Sequence, residues 1–133
     1  FKKFYTLILI ATNIMATSNF HFFKGDFNEF QKIVSLSKGL NVIEFKENWN
    51  LSCERFSKRL RNIAILNPEV TFLSVDIEEN IDISSHYPIS SVPHLKFIVS
   101  DGKESFIEVD QAIGRNSNLI QQKIETIQKN YCS

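Results

Sequence analysis

Val42 to Cys53 reads VIEFKENWNLSC, and the fold of the whole chain turns on how this stretch is understood. Asn41 to Phe45 is an apolar run broken by one carboxylate, Glu44, which is the composition of a buried strand. Trp49 and Asn50 form the turn after it. Asn is among the best N-cap residues, so Asn50 opens a helix, its side chain accepting from the N–H of Ser52 or Cys53. Phe56, Leu60, Ile63 and Ala64 carry that helix on one face to about Leu66. Asn67-Pro68 stops it, because proline disfavours helical backbone in the residue before it.

The same alternation continues on both sides. Upstream, FHFF (Phe20 to Phe23) is a short apolar strand and Lys24-Gly25 a turn. Asp26 caps a helix with Phe27, Phe30, Ile33 and Val34 at helical spacing, and Gly39 ends it. Downstream, Val70 to Ile77 is another buried strand and Ile81 to Tyr87 a short helix. His94 to Val109 is a hairpin with Asp101-Gly102 supplying the turn chemistry. A last helix, capped by Asn116, shows Leu119, Ile120, Lys123, Ile124 and Ile127 as a stripe. The order β-α-β-α-β-α-β-β-α predicts an α/β fold, with a mixed central sheet flanked by helices.

Composition narrows the function classes. A chain of 133 residues, 43% hydrophobic, suffices for one domain with a real core. Fifteen basic and fifteen acidic residues leave no net charge and no basic stripe for nucleic acid. Cys53 and Cys132 are too few for a disulfide framework, and His21, His86 and His94 are scattered, so neither a metal nor a cofactor is expected. The first twenty residues differ from the rest: a lysine pair, an apolar stretch from Phe4 to Ala16, then small or polar residues. That layout predicts a secretory signal peptide over residues 1–18, preceding a domain over residues 19–133 that works in the secretory pathway, in the endoplasmic reticulum or secreted. An N-terminal strand or helix of the domain is the alternative. The stretch is short for a membrane span.

Three landmarks together resemble the thioredoxin family over about Phe20 to Asn130. VIEFKENWNLSC resembles the strand and turn before the family's Trp-Cys-x-x-Cys site, SVDIEEN its third strand with an acidic end, and YPISSVPHLKFIVSDGK the segment with the cis-proline and the hairpin. Glu44 stands where protein disulfide isomerase domains commonly carry Glu and thioredoxins Asp. The resemblance implies the thioredoxin fold and a site at Asn50 to Cys53.

That site is degenerate. In active members the first cysteine attacks as a thiolate whose pKa is lowered at the helix N-terminus, and the second, shielded, resolves the mixed disulfide. Here Asn50 stands in the attacking position, Cys53 keeps only the resolving one, and Lys58 replaces the usual helix proline. Dithiol exchange within the motif is therefore not expected. Cys132 cannot substitute: in the implied fold the last helix runs from about Ser117 away from the site, leaving Cys132 about 20 Å off, beyond disulfide reach. It remains free to bridge to a partner. Cys53 acting alone would be a monothiol exchanger if accessible and ionised; a buried position would make it inert. The family's carboxylate at Glu44 lies under the second cysteine and shuttles protons. Here Glu44 is either a relic or a partner of His94, which follows Pro93, and a Cys53–His94 pair would activate the thiol. Asn50-Leu51-Ser52 is also an N-glycosylation sequon. The family's peptide groove, carried over as Trp49, Asn50, Val92 and Pro93, implies a protein or peptide partner paired along the backbone beside a cis Val92–Pro93 bond.

Overall fold

Alternation along one central strand layers the molecule. The computed structural model describes residues 18–132, so the expected leader lies, apart from Ser18, outside the described residues. The elements are β1 (Phe20–Phe23), α1 (Phe27–Leu36), β2 (Gly39–Lys46), α2 (Leu51–Leu66), β3 (Thr71–Asp76), α3 (Ile81–Ser84), β4 (His94–Ser100), β5 (Phe106–Ile113) and α4 (Ser117–Tyr131). They build a five-stranded sheet in the order β1-β3-β2-β4-β5. β3 is parallel to both β1 and β2, while β4 is antiparallel to β2 and β5 to β4.

Successive side chains of a strand point to opposite faces. Leu40 and Val42 of β2, with Phe72, Leu95 and Phe97 beside them, pack against Phe56, Leu60 and Ile63 of α2 and Ile120, Ile124 and Ile127 of α4. Ile43 and Phe45, with Leu73, Val75 and Ile98, face the other way, onto Phe30 and Val34 of α1 and Ile83 of α3. Each such side chain is worth about 1.5–3 kcal/mol on full burial, so both faces resist a slip of register, which would exchange the two sets.

The helix starts follow the expected chemistry. Asp26 and Glu29 form a reciprocal capping box, Asn50 accepts from the N–H of Cys53, and Asn116 from that of Leu119. Boundaries moved where pairing outweighs composition. α1 stops at Leu36, and Gly39, at φ 93°, opens β2 instead of closing the helix. β5 runs on to Ile113 because Asp110, Gln111 and Ala112, polar or small in sequence, stay in register with β4. α3 is one turn, ending at Ser84 rather than Tyr87.

Asn19 fastens the start of the described domain. Its Nδ2 donates towards the carbonyls of Ala64 (3.0 Å), Asn67 (2.8 Å) and Val70 (2.7 Å), and its own carbonyl accepts from Phe72 N–H at 2.8 Å. The α2–β3 connection thus closes on one amide. Asn19→Ala is expected to cost about 1–3 kcal/mol by leaving these acceptors unpaired. A urea titration reads it as a lower midpoint at unchanged slope; an unmoved midpoint would refute the clamp.

Candidate functional site

The parallel register of β2 and β3 sets Lys46 beside Asp76, so both strands empty into neighbouring loops. Asp76 ties those loops together. One carboxylate oxygen accepts Asn48 N–H (2.7 Å); the other accepts the N–H groups of Glu78 (2.8 Å) and Glu79 (2.9 Å). Lys46 carbonyl accepts from Ile77 N–H at 2.9 Å. On this frame, three consecutive side chains each donate to a different glutamate: Asn48 Nδ2 to Glu79 (2.8 Å), Trp49 Nε1 to Glu78 (2.6 Å) and Asn50 Nδ2 to Glu47 (3.2 Å). Trp49 is held by its edge while 71% of it stays exposed.

Asn50 sits in extended backbone, and its Oδ1 accepts Cys53 N–H at 3.2 Å. Its side chain is therefore committed at both ends, to the helix and to Glu47. Cys53, three residues on, is wholly buried on the inner face of α2. Burial pushes its thiol up; a backbone hydrogen bond from Glu47 pulls back, and the Glu44 and Glu47 carboxylates add to the rise. α2 continues unbroken through Lys58.

Glu44 lies on the α2 face of the sheet, fully buried, accepting from Ser57 Oγ at 2.7 Å and Ser74 Oγ at 2.8 Å. Burial raises its pKa; the two hydroxyls, and at longer range Lys46 and Arg61, offset only part of that. Glu44 and Cys53 do come together. His94 does not join them. The antiparallel register pairs Phe45 with His94 and Glu44 with Leu95, so His94 leaves the sheet on the α1 side and Glu44 on the α2 side. The expected Glu44–His94 and Cys53–His94 pairs are corrected accordingly. His94 Nε2 instead meets Gln111 Oε1 at 3.1 Å, which makes it the protonated nitrogen, and Nδ1 is buried without a partner. Burial lowers the pKa of this imidazole.

The Val92–Pro93 peptide bond is cis. Val92 is half-buried and Pro93 buried, at the start of β4, antiparallel to the end of β2 that leads to Trp49. Backbone at Val92 and the Trp49 turn therefore flank one end of the same strand pair. Cys132 is exposed and hydrogen-bonded to the backbone of Leu40, at the opposite end of β2. Six strand residues at about 3.3 Å each keep it about 20 Å from the site.

The glutamate belt was missed in the sequence: Glu78 and Glu79 follow β3 after Ile77, and only the parallel pairing of β3 with β2 brings them to the Trp49 turn. Among the described residues no cluster of three or more His, Cys, Asp or Glu could hold a metal ion, and no helix is long and apolar enough to cross a membrane.

A mixed sheet in this strand order, with α2 opening opposite a cis X–Pro bond, is the thioredoxin fold. The thioredoxin family model matches residues 22–126. The chain is 33% identical over 99 residues to thioredoxin H-type 1 of Nicotiana tabacum, covering 74% of this chain and 75% of that protein. It is 34% identical over 93 residues to the TPR repeat-containing thioredoxin TDX of Arabidopsis thaliana, spanning 70% of this chain but 23% of that longer protein. The structure of Trichomonas vaginalis thioredoxin superposes with a TM-score of 0.76 at 28% identity, over 82% of this chain and 97% of that one. The chain belongs to the thioredoxin family.

Proposed function

We propose that this thioredoxin-fold protein has no dithiol oxidoreductase activity and works by binding an extended peptide segment of a partner protein along Val92, Pro93 and Trp49. The observation that carries the reading is Asn50, a helix cap bonded to Cys53 N–H where the attacking thiol of an active site would stand. Two-thiol exchange needs a second sulfur within disulfide reach of Cys53, and Cys132 is at the other end of β2. Backbone pairing with a peptide needs no thiol. The leader-like composition of residues 1–18 supports a secretory setting, where the exposed Cys132 is available for an intermolecular disulfide.

The test is catalysed reduction of insulin disulfides by dithiothreitol. The protein should leave the uncatalysed rate unchanged, and Asn50→Cys, which restores a thiol two residues before Ser52, should raise it. Turnover by the unaltered protein that vanishes in Cys53→Ser would establish monothiol exchange and overturn the proposal.

A further inference from the structure

The turn that presents Trp49 is bounded by carboxylates that its own contacts leave uncompensated. Glu47, Glu78 and Glu79 each accept a neutral N–H from Asn50, Trp49 or Asn48. Two ion pairs among the described residues, Lys96–Glu108 and Lys123–Asp110, lie on β4, β5 and α4, away from this turn. Lys46, the basic residue nearest in sequence, is turned aside: its Nζ lies over the Phe22 ring at 5.0 Å. Arg55 points to solvent further along α2, and Arg115 lies past Gly114, whose N–H bonds Pro93 carbonyl at 3.4 Å on the other side of the groove.

An indole with its N–H bonded to a carboxylate and its ring open to solvent is a good seat for a cation, since tryptophan binds cations over its face better than any other side chain. Here the ring is fixed by Glu78, next to Glu79 and Glu47, and Leu51, 57% exposed, adds an apolar floor at the helix start. We propose that the groove selects a basic segment of its protein partner, with a lysine or arginine laid on Trp49 and facing Glu78 and Glu79. This rests on the peptide-binding reading above and adds the charge of the partner. Because Arg115 stands on the Pro93 side, the cation belongs at the Trp49 end.

The experiment uses dye-labelled ten-residue peptides, alternating Thr with Lys, Gln or Glu, titrated with the whole protein and read by fluorescence anisotropy. Alternation suits an extended peptide, whose neighbouring side chains face opposite ways. One cation on the ring together with its facing carboxylates should favour the Lys peptide over the Gln peptide by about tenfold. The Glu peptide should be weaker still. Glu78→Gln/Glu79→Gln keeps an acceptor for Trp49 and Asn48 while removing both charges, and should erase most of that preference; Trp49→Leu should do so by removing the ring. Equal binding of all three peptides would overturn the charge selection and leave the groove reading standing. Binding of none would overturn both. A Lys preference that survives the double Gln variant would place the selectivity elsewhere and refute this site.

Discussion

Iodoacetamide should label Cys53 of the folded protein about a thousandfold more slowly than the same residue unfolded in urea, in a Cys132→Ser background. The side chain has no exposed surface, so reagent must wait for α2 to lift from the sheet at its first turns. An opening that costs about 4 kcal/mol slows labelling by about 10³. Ionisation acts in the same direction. Burial pushes the thiol above its ordinary range, so the thiolate that reacts is scarcer at neutral pH and the rate should climb only at alkaline pH. Fast labelling with a half-point below that of a free thiol would instead show a reactive monothiol. His94→Ala offers an internal control. Because that imidazole projects from the other face of the sheet, its removal should leave the labelling rate unchanged.

Glu44→Gln should stabilise the protein by about 1 kcal/mol or more at pH 7, and the gain should disappear in acid. The sign follows from proton linkage. Burial raises the folded pKa above the 4.5 of an ordinary glutamate, so between those two values the folded state holds a proton that the unfolded chain has released. Stability then falls as pH rises through this window, by about 1.4 kcal/mol for each unit of displacement. Below 4.5 both states are protonated and the contribution is whole. Gln keeps the shape, cannot ionise, and can accept from one serine while donating to the other's oxygen. His94 works in the opposite direction. Its folded pKa is lowered from 6.5, so its contribution is present above that value and is lost as pH falls towards the folded one. Urea midpoints of both proteins from pH 4 to 8 isolate Glu44 as the difference between the two curves. A pH-independent difference would show that Glu44 does not titrate in this range.

Much of the fold can be read in one dimension because its determinants are local. The apolar runs at Asn41–Phe45 and Val70–Ile77, the helical spacing of Phe56, Leu60 and Ile63, and the caps Asp26, Asn50 and Asn116 need only their neighbours in sequence. Asn50 belongs to the same class, since its cap on the Cys53 N–H needs only the three residues that follow it. Burial of Cys53 was also legible, since it lies in phase with Phe56, Leu60 and Ile63.

Contacts across strands were not legible. Whether His94 meets Glu44 depends on strand parity: shifting the β2–β4 register by one residue would bring them to a common face, and composition near Pro93 does not set that register. It is set by the whole length of β4 packing Leu95 and Phe97 on one side and Ile98 on the other. The glutamate belt has the same origin. Glu78 is 29 residues from Trp49 in sequence, and only the parallel pairing of β2 with β3 closes that gap. The sequence alone therefore determined the family, the helix and strand order and the helix caps, through local chemistry. Tertiary structure decided which groups surround Cys53 and which charges surround Trp49, because strand register assigns every side chain to a face and a neighbour.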